Sequence, residues 1–128
     1  MAVFLWGPVA SVMALIFYLS GLSDPPIPSA MSPTVGHWLG YALLGVTVAR
    51  ALAGGLPRHI TPRIAVAATL ICVGYGITDE FHQSFVPGRV ADIADLYADA
   101  AGAMAAVAAC WAWGILSARP GSASRATR

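Results

Sequence analysis

Long apolar runs without charge constrain this chain more than any other feature. Residues 3–22 form one such run and residues 100–116 form another. A helix needs about 20 mostly apolar residues to cross a bilayer, since each residue adds about 1.5 Å along the axis. Only 10% of the residues are charged and 58% are hydrophobic, whereas soluble domains carry roughly 25% charged residues. The sequence therefore predicts an integral membrane protein.

Four segments have the length and composition of membrane helices, which predicts an all-α fold, an integral membrane four-helix bundle. They are residues 3–22, 35–56, 62–85 and 92–116. A proline-rich loop follows the first segment, because proline cannot continue a helix. Thr61-Pro62 precedes the third segment and is typical of a helix N-terminus. We expect residues 1–118 to form one transmembrane domain and residues 119–128 to form a flexible basic cytoplasmic tail.

The fourth segment carries small residues at four-residue spacing. These are Ala98, Gly102 and Ala106. Such a stripe allows helix backbones to approach closely in lipid, where small residues are enriched at helix interfaces. We therefore expect the fourth helix to pack closely against a neighbour.

The charged residues separate onto two sides if the N-terminus is cytoplasmic. Six of the seven arginines then lie on the cytoplasmic side, namely Arg50, Arg58, Arg63, Arg119, Arg125 and Arg128. The positive-inside rule favours this arrangement, which predicts cytoplasmic N- and C-termini (N-in/C-in). All six acidic residues and Arg89 then lie at or near the outer face. The chain has no basic stripe of the kind that binds nucleic acid, so we expect no nucleic-acid partner.

Polar residues concentrate where the third and fourth segments meet. Asp92, Asp95 and Asp99 share one helix face, and Asp99 lies about 10 Å deeper than Asp92. Carboxylates at such depth usually face a bundle interior or a wet cavity. The second segment begins at the same level and contributes its own polar residues, while Arg89 is an expected partner for the acids. The predicted ligand-binding residues are His37, Tyr41, Asp79, Glu80, Gln83, Arg89, Asp92, Asp95 and Asp99.

Several functions fit this set of residues. It could bind a polar envelope ligand, or His37, Glu80 and Asp95 could act as general acid and base in a membrane-embedded enzyme. Carboxylates with histidine could also hold a metal ion. No tight ligand motif such as H-E-x-x-H is present, however, so we predict neither a metal nor a cofactor. The set could also be an ion-pair network that only fixes the helices, or part of a transport subunit.

The motif at this junction resembles the VanZ-like family of small membrane proteins. The resemblance rests on an acidic pair, Gln83, an aromatic residue, a Pro-Gly-Arg turn and later acids, together with a His-Tyr pair on the preceding helix. The matching positions are Ser20 to Pro25, His37, Tyr41, Leu44, Gly45, Asp79, Glu80, Gln83, Phe85, Pro87, Arg89, Asp92, Asp95 and Gly102. Asp99 departs from the pattern, since the family usually has asparagine there.

The resemblance implies a role in the bacterial cell envelope. The family's namesake is linked to resistance to teicoplanin, a glycopeptide antibiotic that acts on cell-wall precursors. The expected partners are therefore membrane lipids and a lipid-linked precursor or glycopeptide. The expected location is the bacterial cytoplasmic (inner) membrane, with several spans. The resemblance does not imply a particular reaction, so enzymatic activity, like the oligomeric state, is left open.

Overall fold

The computed structural model describes residues 1–26, 28, 30–55 and 59–117. Within these ranges the protein is entirely helical and contains no strand. The four helices are α1 (Ala2–Ser20), α2 (Pro33–Ala53), α3 (Pro62–Gln83) and α4 (Ile93–Ser117). The all-α, four-helix prediction is confirmed, and each boundary lies within three residues of the prediction. The predicted tail and the predicted end of the second helix fall outside the described residues.

Local sequence signals explain where three of the helices begin. Ser32 accepts a hydrogen bond from the backbone N–H of Val35 (3.3 Å), and Thr61 accepts one from Ile64 (3.2 Å). A proline follows each of these caps, where its missing N–H is not needed. The carboxylate of Asp92 likewise accepts from Ala94 at the start of α4 (2.8 Å). The predicted N-cap at Thr61 is confirmed.

Three of the described helices, α1, α3 and α4, are long and apolar enough to cross a membrane. α2 has 21 residues, a sufficient length, but its polar residues exclude it on composition. These residues include Thr34, His37 and Arg50. α2 packs against all three other helices, and it partly buries His37 and Arg50 while Thr34 stays exposed. The structure therefore supports three spans by composition, one fewer than the sequence predicted.

The interior contains charged and polar side chains beside its apolar core. Asp79, Glu80, Gln83 and Asp99 are all buried. Large apolar side chains cover the exterior instead, including Phe17, Leu70 and Trp113. This distribution is the one expected of a bundle surrounded by lipid, where charged residues turn inward.

Candidate ligand-binding site

The polar residues gather at one end of the bundle because three helix ends meet there. α2 and α4 begin at this end, and α3 finishes there. α2 contributes His37 and Tyr41, α3 contributes Asp79 and Glu80, and α4 contributes Asp99. Segments that are far apart in the sequence therefore supply one cluster.

His37 connects α2 to α4. A hydrogen bond joins its Nδ1 atom to Oδ1 of Asp99 (3.0 Å), and its Nε2 atom lies 3.7 Å from Oδ2 of Asp95. Thr34, one helical turn earlier, donates a hydrogen bond to the other oxygen of Asp95 (3.2 Å). Asp99 is completely buried, whereas Asp95 keeps some exposure.

Gln83 joins the two adjacent acids of α3. Its side-chain amide donates to Oδ2 of Asp79 (3.3 Å) and to Oε1 of Glu80 (3.2 Å). The other oxygen of Glu80 accepts from the backbone N–H of Asp92 (3.0 Å). Glu80 therefore links the end of α3 to the start of α4, and Gln83 shares a helix face with both acids.

Glu80 also approaches the His37–Asp99 pair. One potential metal-binding atom from each of His37, Glu80 and Asp99 lies within 4.8 Å of the others. The three residues come from three different helices. Such a set could act in proton transfer or hold a cation, and the sequence alone did not single it out.

A partly open cavity of about 140 Å³ lies beside the cluster, between α1 and α2. Apolar residues of α1, including Ile16 and Leu19, form one wall together with prolines of the loop that follows. Polar residues also line it: Ser20, His37, Tyr41, Asp79 and Arg89. The cavity is therefore amphipathic.

Three of these polar residues hold a buried atom without a hydrogen-bond partner among the described residues. The atoms are the hydroxyl oxygen of Tyr41, Oδ1 of Asp79 and Nε of Arg89. Buried polar groups are nearly always paired, and each exception requires an explanation such as a water or a ligand. The three atoms comprise a donor, an acceptor and a hydroxyl that can act as both.

Two predicted residues behave differently from expectation. Arg89 forms no ion pair with an acid in the described part of the chain, so its expected pairing is wrong. The turn after α3 instead directs Arg89 to the cavity wall. Asp92 is exposed, and its side chain caps α4 rather than joining the buried cluster.

Sequence reasoning missed the contacts that Thr34 and His82 make near the site. Thr34 lies at an exposed helix start, and only its hydroxyl could have suggested a role. His82 lies three residues after Asp79 on α3, but its side chain contacts α1 rather than the polar cluster. It stacks on Phe17 (4.1 Å between ring centroids), and its Nδ1 atom lies 3.4 Å from the hydroxyl oxygen of Ser20.

Arg50 is remote from the polar cluster. Its guanidinium donates to the carbonyl of Phe4 (3.1 Å) and lies over the Phe4 ring. Between Arg50 and the cluster, α2 contributes the buried apolar residues Leu44 and Val48. Leu44 and Val48 therefore provide no polar lining on α2 between Arg50 and the cluster.

Comparison with known proteins identifies a family. Residues 11–116 match the family model described as VanZ/LLP1. The match covers α2, α3 and all but the last residue of α4, and therefore the whole polar cluster. No curated protein and no solved structure gives a significant match.

Proposed function

The chain belongs to the VanZ/LLP1 family, and from this premise we propose that it is a membrane protein that binds a polar ligand at the clustered end of the bundle. The ligand is a lipid-linked cell-wall precursor or a glycopeptide. The site comprises the cavity and the polar residues beside it. The protein acts in the bacterial cell envelope, with a role related to antibiotic resistance.

The observation that carries this proposal is the set of three unpartnered polar atoms on residues that line the cavity. A buried polar group without a partner costs about 1–3 kcal/mol. Ligand hydroxyl, amide or carboxylate groups could replace the missing partners of Tyr41, Asp79 and Arg89 after small side-chain movements. A ligand rich in both donors and acceptors, such as a sugar or a peptide, meets this requirement.

The cavity dimensions favour partial enclosure of a larger molecule. Sites that enclose a drug-sized ligand usually measure about 300–1,000 Å³, whereas this cavity measures about 140 Å³. It can therefore hold one polar moiety while the rest of the ligand remains outside. The apolar wall formed by Ile16 and Leu19 would suit the adjoining part of a lipid chain.

Binding to purified protein in lipid nanodiscs tests the proposal. Teicoplanin and a lipid-linked cell-wall precursor serve as separate probes. We expect Tyr41→Phe to weaken binding of the recognised probe about tenfold, because one hydroxyl partner is lost at a cost of about 1.4 kcal/mol. Tyr97→Phe is the matched control, since Tyr97 is 71% exposed.

A second pair of variants tests whether the positive charge of Arg89 contributes to ligand binding. Arg89→Gln removes a guanidinium that lines the cavity, and Arg63→Gln removes an exposed one near the other end of the bundle. Weaker probe binding by Arg89→Gln, with unchanged binding by Arg63→Gln, would support the proposed site. Equal affinity of all four variants for both probes, or no binding of either probe by the unaltered protein, would refute it.

Catalysis is the second candidate function, and the His37–Asp99 hydrogen bond (3.0 Å) favours it. A carboxylate orients an imidazole for proton transfer in many enzymes, and Glu80 or Asp95 would supply a second acid or base. Conversion of the lipid-linked probe by the unaltered protein, lost in His37→Gln, would support this alternative over binding alone.

A further inference from the structure

We propose that His37, Glu80 and Asp99 bind one divalent metal ion of the Zn²⁺ or Mn²⁺ type. This proposal goes beyond recognition of a polar ligand, and either proposal can fail without the other. The metal site lies where α2, α3 and α4 meet, whereas the proposed ligand cavity lies between α1 and α2. His37 is common to both.

The first argument is geometric. One candidate atom from each residue lies within 4.8 Å of the other two. Ligand atoms around a tetrahedral ion, each about 2.2 Å from it, lie about 3.6 Å from one another. Small side-chain rotations would therefore bring the three residues to coordination distance. Because each residue comes from a different helix, the backbone already holds the site in place.

The second argument is an unpartnered carboxylate oxygen. Asp99 is completely buried, and its Oδ2 atom has no hydrogen-bond partner in the described part of the chain. Its other oxygen is bonded to His37. An ion coordinated by Asp99 would stabilise the oxygen that currently lacks a donor.

The third argument is charge. Asp79, Glu80 and Asp99 are all buried, and the ion pairs among the described residues involve only His37. Arg89, the nearest cation along the chain, is not within ion-pair distance of them. The charge of a buried carboxylate is usually balanced by a paired cation or a coordinated metal, or it is removed by protonation. A divalent ion would balance the charges of Glu80 and Asp99.

The donor atoms select the class of metal. Ca²⁺ and Mg²⁺ favour sites made entirely of oxygen. An imidazole nitrogen together with two carboxylates suits Zn²⁺ or Mn²⁺. We therefore expect Zn²⁺ and Mn²⁺ to bind more tightly than Mg²⁺ or Ca²⁺.

The experiment uses the full chain in lipid nanodiscs, first treated with a chelator and then titrated with each of the four metal ions. Calorimetry gives the affinity, and elemental analysis after dialysis gives the metal content. We expect about one Zn²⁺ or Mn²⁺ ion per chain. Asp99→Asn and Glu80→Gln should each weaken binding by at least about tenfold. Asp24→Asn is the control, because Asp24 is an exposed acid in the loop after α1.

Thermal unfolding separates metal binding from a purely structural role. Metal should raise the melting temperature of the unaltered chain and of Asp24→Asn, but not that of Asp99→Asn or Glu80→Gln. If Asp99→Asn does not fold, Glu80→Gln answers the same question, since its amide oxygen can still accept from the Asp92 N–H. The proposal is overturned if the unaltered chain retains no stoichiometric metal, or if the control loses as much affinity as the folded site variants.

Discussion

At the scale of single residues, Gln83 stabilises two buried acids at once. Its amide group donates to both Asp79 and Glu80, and all three side chains are buried. These donors matter because the acids have few others. Oδ1 of Asp79 has no hydrogen-bond partner among the described residues, and the other oxygen of Glu80 relies on one backbone N–H. The amide therefore contributes to folding, whichever ligand the site takes.

Replacing Gln83 by leucine should destabilise the protein. The change keeps a side chain of similar size but leaves two buried carboxylate oxygens without their donor. We expect the free energy of unfolding to fall by about 1–3 kcal/mol, measured by denaturant titration in detergent. Ser84→Ala is the control, because the exposed Ser84 hydroxyl bonds only a nearby carbonyl, and it should change stability by less than about 0.5 kcal/mol. Equal stability of the two variants would contradict the role assigned to Gln83.

The sequence predicted which residues would gather but not how they would pair. Helical spacing placed Asp79 and Glu80 near Gln83, because side chains three and four residues apart share a face. It could not show that Asp99 bonds to His37, since that contact depends on how α2 and α4 pack. It also failed for Arg89, whose position follows from the turn after α3 rather than from attraction to the nearest acids.

At the scale of helices, close backbone contact between α2 and α4 positions the His37–Asp99 pair. A Cβ atom added at Gly102 would overlap the carbonyl oxygen of Trp38, the residue after His37. A Cβ atom at Gly45 of α2 would meet the carbonyl oxygen of Ala103 at 2.9 Å. The predicted close packing of α4 is therefore confirmed at Gly102, which limits the distance between the two helices.

Gly102→Ala should force α2 and α4 apart. The new methyl group would clash with backbone rather than with a flexible side chain, so the helices must move. We expect a loss of about 1–3 kcal/mol in unfolding free energy, together with weaker binding at the polar site. Gly74→Ala is a matched control in α3, because nothing lies within 4 Å of its added Cβ. It should be neutral or stabilising by up to about 1 kcal/mol. Similar losses in both variants would argue against close packing at Gly102.

Hydropathy predicted the number of helices better than it predicted their environments. Each helix occurs where apolar length and proline signals placed it. α2 nevertheless falls below the composition of a membrane span, because polar residues such as Thr34, His37 and Arg50 lower its mean hydropathy. Sequence alone does not reveal which helix will be central, since that depends on the packing of the others.

At the scale of the whole molecule, Arg50 and Arg63 lie toward the end of the bundle opposite the polar cluster, whereas Arg89 lines the cavity beside the cluster. α3 connects the two ends of the bundle. Arg63 lies in its first turn, and Gln83, a member of the cluster, is its last residue. The positive-inside rule then favours a cytoplasmic start of α3 and an outward-facing cluster. This orientation is required by the proposed function if the ligand is reached from the outer face of the membrane.

Cysteine labelling across α3 tests this orientation directly. Phe85→Cys and Thr61→Cys introduce exposed thiols at opposite ends of the same helix. We expect a membrane-impermeant maleimide to label Phe85→Cys in intact bacterial cells and Thr61→Cys only after lysis. The unaltered chain controls for Cys72, which is buried, and for Cys110, which is partly buried within α4. Labelling in the reverse order would place the cluster on the cytoplasmic side. Polar-ligand binding would then require a cytoplasmic ligand, whereas metal binding by His37, Glu80 and Asp99 would be unaffected.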